Sequence, residues 1–209
     1  MTQPRAARRL LLATRASHKV AELREILDLP GVELLTPDDV GVEGEPDEDA
    51  ETFAGNAEIK VRYYAEQSGI PTLADDSGLE VDALNGVPGV RSARFAGENA
   101  DDAANNRKLL RALEGVPDGA RAARYRCVMV YLRSPDDPSP VIAQAHWEGR
   151  IGRAPRGDAG FGYDPLFVID AAGTTAAQLA AIDKNRLSHR GRALRALVAT
   201  LTATSEPAA

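Results

Sequence analysis

With 209 residues, 44% of them hydrophobic, the chain is long enough to bury a real core as one large domain or two small lobes sharing one. No apolar run approaches the roughly 20 residues of a membrane span, and Met1 to Leu12 lacks the apolar stretch and cleavage site of a signal peptide, so a soluble, unexported protein is expected. A net charge of −6 argues against a grip on a long nucleic acid, which needs many Lys and Arg to neutralise phosphates, but leaves room for a small anion held by a few focused cations.

The opening predicts a strand over Arg9 to Thr14, a polar turn, and an amphipathic helix with Val20, Leu23, Ile26 and Leu27 on one face, ended by Pro30 and Gly31. A short strand at Val32 to Leu35 leads into an acidic loop, Asp38 to Glu51, too polar for a core. Thr52 to Ser68 is helical, closed by Gly69 and Pro71. A strand at Thr72 to Ala74, a loop ADDSG, a strand LEVDAL and the tight turn NGVPG follow. Asn99 to Leu113 reads as a helix. Ala122 to Leu132 and Val141 to Glu148 read as strands joined by SPDDPSP, a hairpin. The single cysteine, Cys127, rules out an internal disulfide and fits a buried core thiol. A Gly-rich loop, RGDAGFGYD, precedes a helix capped by Ser188 that runs from His189 to about Leu201, and residues 202–209 are expected to fray. This alternation of strands and helices implies an α/β or mixed fold.

Four places carry candidate chemistry. In TRASHK, Thr14 and Lys19 flank a helix N-terminus, where backbone N–H groups attract phosphate; the turn matches neither the P-loop nor the dinucleotide fingerprint, and could be only a turn. In ADDSG, Asp75 and Asp76 are either a capped turn or hard oxygen donors for magnesium, and a carboxylate there can take a proton from water. Among the acids of GEPDEDAE, which as a charge run could simply be solvated, Glu48 is chosen over Glu45, Asp47, Asp49 and Glu51 as a second metal contact. In GFGYDP, Phe161 between two glycines can offer a flat face to a nucleobase, with Tyr163 nearby, or can pin the loop to the core. Lys184, His189 and Arg190 supply donors at another helix start.

Taken in order, TRASHK, TFAGNAEIK, ADDSGLEVDALNGVPGVRSAR, GFGYDPLF and KNRLSHRGRAL resemble the inosine triphosphate pyrophosphatase family, from about Leu10 to Leu201. The resemblance implies an α/β fold: a long mixed central sheet flanked by helices, one domain of two lobes over residues 1–209 with an active cleft between them, assembled as a cytoplasmic homodimer. It implies Mg²⁺-dependent hydrolysis of non-standard purine nucleoside triphosphates (dITP, ITP, XTP) to the monophosphate and pyrophosphate, with no nucleic-acid polymer or membrane as partner. By the same resemblance Asp76 is the proton acceptor and a metal ligand, with Glu48 as the second metal-binding acid. Asp75 supports its neighbour, and Ser77 contacts substrate. Thr14, Lys19 and Lys60 face phosphates; Phe161, Gly162, Tyr163 and Asp164 form the base-binding loop; Lys184, His189 and Arg190 hold the purine. The rival readings are a Maf-type pyrophosphatase, against which SHRG and FGYDP speak, and a non-catalytic nucleotide-binding regulatory module.

Two stretches depart from the family pattern. Arg15 and Ala16 stand where T-G-N-x-x-K is typical, so that an amide contact is lost and Arg15 is a candidate to replace it with its own charge. Gly55 stands where the family usually has Glu in F-x-E-N-A.

Overall fold

The first strand, β1 (Arg8–Leu12), enters on two exposed arginines and then buries three successive leucines on both its sides, Leu11 and Leu12 fully, as a central parallel strand must. In this computed structural model, which describes residues 8–27 and 29–203, β1 pairs parallel with β2 (Val32–Leu35), Leu10 opposite Leu34, and with β3 (Thr72–Val81), Leu11 opposite Thr72. Parallel neighbours need long crossovers. These are α1 (Ser17–Ile26), which buries Leu23, and α2 (Phe53–Ser68), which buries Phe53, Ala57, Val61, Tyr64 and Ala65. The α2 N-terminus is capped by Thr52, whose hydroxyl accepts from Gly55 N at 3.1 Å, and the helix stops at Gly69 in the left-handed conformation.

The chain continues through α3 (Asp102–Ala112), β4 (Ala122–Leu132), β5 (Val141–Ile151), β6 (Phe167–Val168), α4 (Ala181–Leu187) and α5 (His189–Ala203). The strands form a six-stranded sheet in the order β2-β1-β3-β4-β5-β6, mixed because β6 runs antiparallel to β5, with Ile151 opposite Phe167. The chain divides into two compact units. One comprises the described residues through Asp76 together with Val128–Ala143 and the chain from Leu194; the other comprises Ser77–Cys127 and Gln144–Ala193. The core of the second unit gathers Leu79, Val81, Leu109, Leu113, Tyr125, Trp147, Ile151, Leu166 and Phe167, with Trp147 edge-on to Phe167 at 5.3 Å.

The mixed sheet, the paired long strands and buried Cys127 match the reading from sequence. Several boundaries do not. ADDSG is not a loop: Thr72–Val81 is one unbroken strand, because Asp75 and Asp76 are buried and paired rather than solvated, and the end of LEVDAL turns into a short 3₁₀ segment, Asp82–Leu84. Helix α3 begins at Asp102, where Asp101 caps it through Ala104 N at 2.6 Å, three residues after the expected start at Asn99. Strand β5 extends to Ile151, and β6 and α4 carry too few residues to show a period. Of the expected tail, Thr202 and Ala203 belong to α5, and 204–209 lie outside the described residues.

Candidate active site

In the first unit, α1, α2 and β3 bring together two lysines and three carboxylates. Asn56 and Lys60 share a face of α2 by their four-residue spacing. Lys60 Nζ, buried, donates to the Asp75 carbonyl at 3.1 Å and lies 2.9 Å from Glu48 Oε2. Lys19 Nζ lies 3.1 Å from Asp75 Oδ2 and 3.2 Å from Oδ1. Successive strand residues project to opposite faces, so Asp76 takes a different partner, accepting from Asn56 Nδ2 at 3.3 Å. Asn56 also accepts from Ala50 N at 2.9 Å, which ties the acidic loop to the same helix.

Burial pushes the Asp76 carboxyl up to about 6. Lys60 and Lys19 pull it down, and Glu48 and Asp75 push it further up. Burial pulls the Lys60 ammonium down, but Asp75, Glu48 and Asp76 outweigh it and hold its pKa above the ordinary value. Three carboxylates against two lysines leave one negative charge in excess. This donor set suits a hard divalent cation: Asp76 and Glu48 offer carboxylate oxygens whose mutual repulsion a cation would relieve. Among the described residues no group of three or more acidic, His or Cys side chains is placed to enclose a metal. Magnesium does not need one, since it takes one or two carboxylates and completes its shell with water and phosphate oxygens.

The TRASHK turn folds on itself: the Thr14 hydroxyl accepts from Ala16 N at 3.2 Å, and Ala16, at the N-cap of α1, makes no side-chain cap. Arg15 does not reach toward the lysines. Its guanidinium donates to Asp38, Val42, Gly44, Glu45 and Tyr64. In this arrangement the guanidinium is engaged by the acidic loop and by α2. Gly55 also has a local reason. A Cβ there would lie 2.7 Å from Ala50 Cβ and 3.2 Å from Thr52 Oγ1, so a glutamate does not fit this loop as it stands.

In the second unit the Gly-rich loop is held by its own acid. Asp164 Oδ2 accepts from Phe161 N at 3.0 Å and from Lys184 Nζ at 2.7 Å, and its Oδ1 accepts from the Tyr125 hydroxyl at 3.1 Å. Gly160, with φ +78°, packs so closely on Asp164 that no side chain could stand there. Helix α3 grips Gly162 at both ends: Asp102 Oδ2 accepts from its N–H at 2.6 Å, and Asn106 Nδ2 donates to its carbonyl at 2.8 Å. Two cations stand over the Phe161 ring, Lys184 Nζ at 4.1 Å and Arg190 Cζ at 5.5 Å from its centroid. Arg190 Nη2 also donates to Ser77 Oγ at 2.9 Å, and His189 stacks on Tyr125 at 4.7 Å. The Ser188 hydroxyl accepts from Gly191 N at 3.1 Å, the expected cap.

Thus Thr14, Lys19, Glu48, Lys60 and Asp76 fall in the first unit, and Ser77, Phe161, Gly162, Lys184, His189 and Arg190 in the second. Tyr163 and Asp164 are interior residues, Tyr163 donating its hydroxyl to the Ser92 carbonyl at 2.8 Å, whereas Phe161 is half-buried. Sequence reasoning missed Asn56, Asp102, Asn106 and Tyr125. The first three were signalled by i, i+4 spacing, Asn56 with Lys60 and Asp102 with Asn106, polar pairs on one face of a helix.

The sequence pattern of the Ham1 family matches residues 10–200. A dITP/XTP pyrophosphatase of Thioalkalivibrio sulfidiphilus is 53% identical over 193 residues, covering 92% of this chain and 98% of that protein. One from Methylococcus capsulatus is 49% identical over 196 residues, covering 94% and 97%. The solved structure of a HAM1 protein from Coxiella burnetii superposes with a TM-score of 0.85 at 45% identity, covering 93% of this chain and 98% of that one. The mixed sheet, the ordered motifs and these likenesses over nearly the whole length agree: this chain belongs to the Ham1 family.

Proposed function

We propose that this chain hydrolyses non-standard purine nucleoside triphosphates, dITP, ITP and XTP, to the nucleoside monophosphate and pyrophosphate, with Mg²⁺ as cofactor, as a cytoplasmic homodimer. The observation that carries the reading is the Asp76 carboxyl, held near 6 among Glu48, Asp75, Lys19 and Lys60. The names of the relatives, dITP/XTP pyrophosphatases, support it.

In this reading water attacks the α-phosphorus, the bond from that phosphorus to the bridging oxygen of the β-phosphate breaks, and pyrophosphate leaves. Asp76, ionised above about pH 6, orients the water and accepts its proton. Asp76 and Glu48 would hold magnesium, which would supply Lewis-acid stabilisation of the phosphate oxygens. Lys19 and Lys60 neutralise the charge that grows on the leaving group, with Thr14 on the same turn as Lys19. Phe161 stacks on the base, while Lys184, His189 and Arg190, with Ser77 orienting Arg190, offer donors to the purine edge. A C6 carbonyl accepts from those donors, whereas the C6 amine of adenine leaves one unpaired at about 1–3 kcal/mol, roughly tenfold to over a hundredfold in preference.

Pyrophosphate release from dITP, XTP and dATP, with magnesium and with excess chelator, tests the proposal. Magnesium-dependent release from dITP and XTP that exceeds release from dATP is expected. Full turnover under chelation, or equal rates on dATP, would refute it.

A further inference from the structure

We infer that Arg15 is a positioning residue: a clamp that fixes the acidic loop, and with it Glu48, and takes no part in binding phosphate. The inference rests on the assignment of Glu48 to the metal, and begins from the guanidinium itself. Nε donates to Asp38 Oδ1 at 2.9 Å; Nη1 donates to Gly44 O at 2.7 Å, Tyr64 Oη at 2.8 Å and Glu45 Oε1 at 3.3 Å; Nη2 donates to Val42 O at 2.5 Å. A guanidinium has five N–H protons, so three acceptors share the two on Nη1 and a single proton on Nη2 is left over. The side chain is 24% exposed, and its charge already faces two carboxylates, Asp38 and Glu45, so its surroundings are net negative.

What the contacts do accomplish is to hold the backbone of the loop. Upstream of Glu48, Arg15 takes the carbonyls of Val42 and Gly44, and the Tyr63 hydroxyl donates to Glu43 O at 2.9 Å. Gly44, with φ +75°, lets the chain pass there, since a Cβ would stand 3.0 Å from that hydroxyl. Downstream, Asn56 holds Ala50 N. Glu48 lies between the two anchors, its Oε2 at 2.9 Å from Lys60 Nζ. With Arg15 gone, the carbonyls of Val42 and Gly44 lose this donor, and the Tyr63 bond and the Val42 N–H bond to Pro37 O at 3.0 Å remain. The arrangement also joins the TRASHK turn, which carries Arg15, to the loop that carries Glu48, so that the replaced amide of the family pattern is exchanged for rigidity of the metal side.

The test compares wild type, Arg15→Ala and Arg15→Lys by amide hydrogen exchange over residues 42–50 in the nucleotide-free protein, and by dITP hydrolysis against free magnesium. Lysine keeps the charge but not the planar fork, and serves alone where the alanine variant does not fold. Expected are exchange over 42–50 at least about tenfold faster in Arg15→Ala and less so in Arg15→Lys, with the α2 amides unchanged. The magnesium concentration for half-activity should rise by about tenfold, while KM for dITP at saturating magnesium and kcat stay within about twofold. Unchanged exchange in both variants overturns the clamp, as does a KM for dITP raised about tenfold at saturating magnesium, which would make Arg15 a phosphate ligand. Should the wild type fail to hydrolyse dITP, the proposed function falls, while the exchange comparison still decides whether Arg15 holds the loop.

Discussion

The amide of Asn56 donates to the Asp76 carboxylate at 3.3 Å and accepts from the backbone of Ala50 at 2.9 Å, so one buried side chain of α2 touches both the strand that carries Asp76 and the loop that carries Glu48. At 1% exposure it has no freedom to turn. The separation between the two acids is thereby set by a helix face rather than by a loop. Rigid support of this kind is what a metal site needs from its surroundings.

Asp76→Asn is expected to abolish pyrophosphate release from dITP while leaving the fold intact, because it removes the carboxylate proposed as proton acceptor and metal ligand without changing volume. The amide can still accept from Asn56. A loss of at least about a hundredfold in kcat is the expected size for a general base. A variant that keeps more than about a tenth of the wild-type rate would remove Asp76 from the mechanism.

The same substitution should stabilise the metal-free protein. The fold raises the Asp76 pKa from 3.8 to about 6, so folding favours the protonated form. Stability from this group is complete below the unfolded pKa of 3.8 and is lost as pH rises through about 6. At about pH 8 the ionised carboxylate costs up to about 3 kcal/mol, which the neutral amide avoids. Thermal melts in chelator should show Asp76→Asn ahead by roughly 5 °C near pH 8 and by about a third of that near pH 4.5. An advantage that grows toward acid would contradict the assignment.

Helices α1, α2 and α5 were legible because a face of apolar residues repeats at helical spacing, and β1 because its leucines run without a break. The β3 strand through Asp75 and Asp76 was not, since two adjacent acids read as solvated. They are buried only because Lys19, Lys60 and Asn56 reach them from 15 to 56 residues away in sequence. Arg15 shows the same limit: its partners lie 23 to 49 residues along the chain, and nothing in TRASHK names them. Phe161, by contrast, was legible as a loop aromatic, although its neighbours Tyr163 and Asp164 turn inward to hold the loop. The roles of the candidate residues came from the resemblance; the distances explain how the fold supports them.

Gly55→Ala should destabilise the protein, against the usual sign for a helix. Exchanging glycine for alanine within a helix favours folding by nearly about 1 kcal/mol on propensity alone. Here the added carbon meets Ala50 Cβ at 2.7 Å, a clash expected to cost about 1–3 kcal/mol. Glutamate, the residue usual in the family, carries the same Cβ and the same conflict. Combining Gly55→Ala with Ala50→Gly should recover the melting temperature. A gain in Tm from Gly55→Ala alone would show that the loop yields freely at Ala50.

Lys19 has two possible duties, counterion to Asp75 and ligand to the triphosphate, and a pair of substitutions separates them. Its Nζ lies 3.1 Å from an Asp75 side chain that is 2% exposed, while its own side chain is 18% exposed. Removing the lysine takes one of the cations from a buried carboxylate, and where a fully enclosed pair is broken this costs about 3–5 kcal/mol; the partial exposure of Lys19 and the nearby Lys60 charge bring the expected loss down to about 2 kcal/mol. Lys19→Ala should therefore lower Tm and also raise KM for dITP by at least about tenfold, since a full charge facing phosphate contributes about 1.5–3 kcal/mol. Adding Asp75→Asn removes the under-compensated charge and should restore Tm. It cannot restore the cation, so KM should stay high, at fixed free magnesium, in the double variant. Recovery of both Tm and KM would reduce Lys19 to a structural counterion and leave Lys60 as the phosphate-facing lysine of this unit.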